Sequence, residues 1–129
     1  MSQGSRSRSA PDAPPAGRAR AGLLSADAGD RLRVEAGLAG TGYRLESWEA
    51  FEQVVRGIAA GPVVAFIDLA HPQADCCIEA LAASGNRVVA YGSEVDDLAV
   101  IRARSLGAAD AVPRDRLLRA PADWLPPMM

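Results

Sequence analysis

The run Val63-Val64-Ala65-Phe66-Ile67, followed at once by Asp68, constrains this chain more than any other segment. Its five apolar residues, mostly β-branched or aromatic, suit a strand buried on both faces. Central strands of parallel sheets have this character. The run ends on a carboxylate, and in open α/β sheets the ligand crevice lies beyond the carboxyl ends of the strands. Asp68 therefore stands where chemistry is expected.

Around this strand the sequence alternates between strand and helix patterns. Gly22 to Ala26 reads as a short strand ending at Asp27, and Asp30 to Ala39 as a helix with Leu32, Ala36 and Ala39 on one face. Gly40-Thr41-Gly42 stops that helix before a short strand, Tyr43 to Glu46. Ser47 suits an N-cap, with Trp48 one turn before Phe51, Val54, Val55 and Ile58 at helical spacing. Asp75 opens a third helix through Ile78 and Leu81, and Val88 to Tyr91 is a second buried strand. Asp96 to Leu106 makes a fourth helix, Ala108 to Val112 a fifth strand, and Arg114 to Arg119 a short last helix curtailed by Pro121. Five strands and five helices at short spacing predict a doubly wound, five-stranded parallel sheet with helices on both faces. The strand order 2-1-3-4-5 puts the ends of strands one and three side by side, with Asp27 and Asp68 across one crevice.

Composition sets the remaining bounds. A chain of 129 residues is one domain with room for a core. Residues 1–20 contain no Val, Ile, Leu or aromatic residue, so they read as a disordered tail. Residues 21–119 form the domain, and 120–129 a short Pro-containing tail. The first 20 residues carry four arginines against Asp12, while the rest carry ten against fifteen acids. No aromatic residues interleave with the tail arginines for base stacking, so a nucleic-acid partner is not expected. All fourteen cations are arginine, which excludes any mechanism that needs lysine, a Walker A loop included. No apolar run is long enough to span a membrane and no leader-like segment opens the chain, so a cytoplasmic location is expected. Cys76 and Cys77 are adjacent, are not a Cys-x-x-Cys redox pair, and read as buried helical thiols.

Asp68, with Pro72 four residues on, and the Gly107-Ala108-Ala109-Asp110 turn before the last strand resemble the receiver domains of bacterial two-component response regulators. Tyr91-Gly92-Ser93-Glu94-Val95-Asp96 resembles a degenerate, single-domain subset of them. The resemblance spans residues 21–119 and implies the receiver, or flavodoxin-like, fold with Asp68 as candidate phosphoacceptor. It also implies differences. The acidic pair that ends strand one of the family and holds Mg²⁺ is reduced to Asp27-Ala28, leaving Asp27 and Asp68 as a weak Mg²⁺ site or no cofactor at all. The Thr or Ser slot of strand four falls on Gly92, with Ser93 one residue late. Arg114 takes the lysine position, and Ala111 replaces the aromatic switch residue.

These losses favour a stand-alone signalling module over an enzyme. Such a module acts by binding a protein, a histidine kinase or a downstream regulator, with phosphorylation impaired or absent. Only ten residues follow Arg119, so output is expected through the surface of helix four, strand five and the last helix. Two alternatives stand beside it. One is a working phosphoacceptor that uses Asp27, Asp68 and Arg114. The other is a flavodoxin-like domain binding a small molecule in the same crevice. His71 reads as a loop residue, because no Ser or Cys nucleophile accompanies it.

Overall fold

The structure is a computed structural model and describes residues 19–126. Five parallel strands form one sheet in the order β2-β1-β3-β4-β5: β1 Ala19–Leu24, β2 Tyr43–Trp48, β3 Val64–Asp68, β4 Arg87–Gly92 and β5 Asp110–Pro113. The helices are α1 Ala28–Leu38, α2 Phe51–Ala59, α3 Ala74–Ala83, α4 Asp97–Ser105 and α5 Arg114–Arg119, followed by a 3₁₀ turn, Pro121–Trp124. This is the expected doubly wound sheet. No helix among the described residues is long and apolar enough to cross a membrane.

The sheet separates two apolar layers, and the side-chain period of two sorts residues between them. Ala65 and Ile67 of β3, with Val88 and Ala90 of β4, pack with Val54, Ile78, Leu81 and Ala103 under α2, α3 and α4. Val64, Phe66, Val89 and Tyr91 face the other way, onto Val34, Leu38, Leu117 and Leu118 of α1 and α5. Every residue of β3 is buried, as its continuous apolar run requires.

Several local expectations are corrected. β1 begins at Ala19, inside the segment read as a disordered tail. Arg20 donates to both carboxylate oxygens of Glu46 (2.8 and 3.2 Å) and to the carbonyls of Gly57, Gly61 and Pro62. Its side chain is only 11% exposed. Partners distant in sequence order these residues; residues 1–18 lie outside the described part. At the other end, the 3₁₀ turn belongs to the domain. The Pro121 ring lies so close to α1 that a Cβ at Gly37 would collide with it, and Trp124 packs against the α1/α5 layer.

The buried face of α1 carries Asp30, Val34 and Leu38, whereas Leu32 is 67% exposed and Ala36 and Ala39 lie at the surface. Ser47 caps no helix, because β2 continues to Trp48 by pairing with Leu23 and Leu24 of β1. Trp48 therefore enters the core from a strand, while Val55 of the expected stripe is exposed. Cys77 is buried but Cys76 is exposed.

Candidate strand-end site

The same period of two builds the site. Ala21 and Leu23 of β1, Val64 and Phe66 of β3, and Val89 and Tyr91 of β4 all face α1 and α5. Continuing each strand by this parity brings Ser25 and Asp68 to that face, beside Tyr91. Registers agree: Leu24 pairs with Ile67, and Asp68 with Tyr91.

Asp68 ends β3 and is 4% exposed. Its Oδ1 accepts the Ala70 N–H at 2.9 Å, and its Oδ2 lies 3.3 Å from the Ser25 hydroxyl. That hydroxyl lies closer, at 2.7 Å, to Oδ2 of Asp30, so its one hydrogen serves two carboxylates and favours Asp30. The same Asp30 oxygen accepts the Tyr91 O–H at 2.8 Å, while Oδ1 of Asp30 receives Arg114 Nη2. Asp30, fully buried in the first turn of α1, is thus the centre of the network. It was not singled out from the sequence. A signal existed: at i, i+4 and i+8 it shares a helix face with Val34 and Leu38, an acid on an apolar stripe.

Asp27, expected at the end of β1, lies three residues beyond it. β1 stops at Leu24, and the two residues that follow it, Ser25 and Ala26, are not acidic. Asp27 instead caps α1: its Oδ1 accepts the Gly29 N–H at 2.8 Å and its Oδ2 accepts Arg114 Nη2 at 2.8 Å. The Gly29 amide and the Arg114 guanidinium hold its carboxyl below the usual carboxylate range. Burial opposes the charge on Arg114, but the hydrogen bond to Asp27 and the charges of Asp30 and Asp27 outweigh it and raise its pKa. Burial also pushes the Tyr91 hydroxyl up; the Ser25 hydrogen bond opposes this, and Asp30 and Asp68 add to it.

Arg114 opens α5 and bridges Asp27 and Asp30, while no ion pair among the described residues includes Asp68. Ser93 is exposed past the end of β4, and no hydrogen bond among the described residues joins it to Asp68. Gly92, at the end of β4, is buried. Ala28 is the first residue of α1. His71 is a loop residue whose Nδ1 accepts the Gln73 N–H at 3.0 Å and whose Nε2 lies 2.9 Å from the Glu49 carbonyl. Nε2 therefore carries the hydrogen, and His71 serves to clasp two loops. Beside the site, a cleft of about 420 Å³ opens at the ends of β1 and β2, lined by Ser25, Asp27, Arg31, Ser47, Glu49 and His71 among others.

The expected Mg²⁺ ligands, Asp27 and Asp68, do not fit a divalent cation. Asp27 is committed to a helix cap and an arginine, and the guanidinium already lies between the carboxylates of Asp27 and Asp30. No group of three or more His, Cys, Asp or Glu among the described residues is arranged to hold a metal.

No protein-family model and no curated protein matches the sequence. Solved structures do match. A response regulator from Thermotoga maritima superposes with a TM-score of 0.68 at 15% identity, over 79% of this chain and 92% of that one. The signal receiver domain of NarL from Mycobacterium tuberculosis gives 0.63 at 18% identity, over 82% and 94%. A CheY-like protein, tadZ, from Pseudomonas aeruginosa gives 0.61 at 20%, over 86% and 98%. The chain has the receiver fold. At these identities the likeness concerns architecture, and in the receiver fold the end of β3, where Asp68 stands, faces the crevice that the strand order creates.

Proposed function

We propose that this chain is a receiver-like signalling module that acts through protein–protein contact in two-component-type signal transduction, with phosphorylation of Asp68 impaired or absent. One observation carries this reading. The pocket's cation, Arg114, is bound to Asp27 and Asp30, and Asp68 has no ion-pair partner among the described residues. Phosphoryl transfer to a carboxylate depends on neutralising the moving group with metal and cation. Arginine in the lysine position is also a planar fork that suits bidentate acids, unlike a flexible point charge.

The module works by binding rather than catalysis, in the cytoplasm, with a histidine kinase or a downstream regulator as partner. Leu98 and Ile101, 75% and 63% exposed and one turn apart on α4, support a contact surface beside β5. Two exposed large apolar side chains on one helix face are suited to burial against a partner. The 420 Å³ cleft at the strand ends favours a second reading, a small-molecule site, for which a thermal-shift panel of nucleotides and cobalamins is the check.

The direct test of the first reading is intact-protein mass after incubation with acetyl phosphate and Mg²⁺, wild type beside Asp68→Asn. The reading expects no added phosphoryl group on either protein. A gain confined to wild type overturns it and makes Asp68 a working phosphoacceptor.

A further inference from the structure

We infer that the Arg114 guanidinium is the resident cation of the strand-end pocket, taking the place of a divalent metal and tying the start of α5 permanently to the start of α1. The inference deepens the reading above and rests on it only for the identity of the pocket. The test below follows metal and stability, whereas the labelling test follows phosphate on Asp68, so either can fail alone.

Asp30 is fully buried, and a buried carboxylate requires a compensating charge or several donors. It has both: the Ser25 and Tyr91 hydroxyls on Oδ2, and Arg114 on Oδ1. The same Arg114 nitrogen reaches Asp27 at 2.8 Å. One guanidinium therefore sits between two carboxylates, the N-cap and a first-turn residue of α1, the position in which a divalent ion would be shared. Three features make the occupancy permanent. A guanidinium keeps its proton at any physiological pH. Held by its own backbone, it acts at a high effective concentration against a free ion. Its Nη2 also meets carboxylate oxygens directly, whereas Mg²⁺ gives up its water shell reluctantly.

The mechanical consequence concerns the far end of the sheet. Arg114 is the first residue of α5 and follows directly on β5, while Asp27 and Asp30 cap and open α1. Their bridge joins the β1–α1 and β5–α5 junctions through side chains of this chain alone. The link depends on no exchangeable ion and no phosphoryl group, so the β5–α5 side of the module is held in one arrangement.

The experiment is thermal unfolding of the full chain with and without MgCl₂ or MnCl₂ at matched ionic strength, for wild type, Arg114→Ala and Arg114→Gln. Gln is the milder change and covers the case in which Ala fails to fold. Wild type is expected to move by no more than about 1 °C with metal. The variants, left with unpaired acids, are expected to melt lower by roughly 8 °C without metal. For a Kd of about 1 mM, about 10 mM metal then restores roughly 5 °C to them. Metal stabilisation of wild type equal to that of the variants overturns the inference, and so do two folded variants that ignore both metals.

Discussion

Replacing Asp30 by alanine tests the network at its centre. Asp30 is fully buried and accepts from the Tyr91 hydroxyl at 2.8 Å, from Ser25 at 2.7 Å and from Arg114. Without it the buried Tyr91 hydroxyl loses its carboxylate acceptor, a loss of about 1–3 kcal/mol. Arg114 keeps Asp27, and its side chain is 31% exposed, so water offsets much of the lost pair; its share is about 1 kcal/mol. Ser25 turns to Asp68 at little cost. The sum is about 3 kcal/mol, or a fall of roughly 12 °C in Tm for a domain of this size. Asp30→Asn keeps an acceptor for Tyr91 and is expected to lose about 1 kcal/mol. Urea unfolding of Asp30→Ala, Tyr91→Phe and the double variant gives the coupling, expected to exceed about 1 kcal/mol. An Asp30→Ala protein as stable as wild type, or strict additivity in the cycle, refutes the reasoning.

Other expectations follow from the same geometry. Cys76 is exposed while burial pushes the Cys77 thiol up to about 12, so Ellman's reagent at neutral pH should titrate one thiol in the native protein and both in denaturant. A Cβ at Gly22 would fall within the Trp48 indole, so Gly22→Ala should destabilise by about 1–3 kcal/mol and alter Trp48 emission. Because the folded Tyr91 hydroxyl titrates above its unfolded value of 10.0, its contribution is complete below that pH and is lost as pH rises beyond it. Tyr91→Phe should therefore be less stable at neutral pH yet lose stability less steeply above pH ~10, and parallel curves for the two proteins contradict this.

The fold was legible because its signals are local. The apolar runs of β3 and β4 and the glycine stops each follow from a few neighbouring residues. The site was legible only where a strand dictates it: Asp68 ends β3 as its run required. The rest depends on partners far apart in sequence. Arg20 looked like tail because composition is blind to Glu46, its ion-pair partner in β2. Ser47 looked like a cap because the pairing of β2 with β1 competes with capping and prevails. Asp30 opens the helix expected over residues 30–39, and nothing in its neighbours separates a buried acid there from a solvent-facing one, since acids are favoured at helix starts in general. Only Tyr91 and Arg114, 61 and 84 residues away, make it the centre of the pocket. Arg114 follows directly on β5, but its choice of Asp27 and Asp30 over Asp68 depends on how α1 and α5 meet.

The most direct test of a pocket closed by its own arginine is an amide NMR spectrum of the full chain titrated with beryllofluoride, a phosphoryl mimic, in the presence of Mg²⁺. The account predicts that the amides of Ser25, Asp68 and Ala70 keep their positions, as do those of α4, β5 and α5. Saturable shifts that begin at Asp68 and Ala70 and spread to residues 97–105 and 110–119 would contradict it, showing a switch that the Arg114 bridge should not permit.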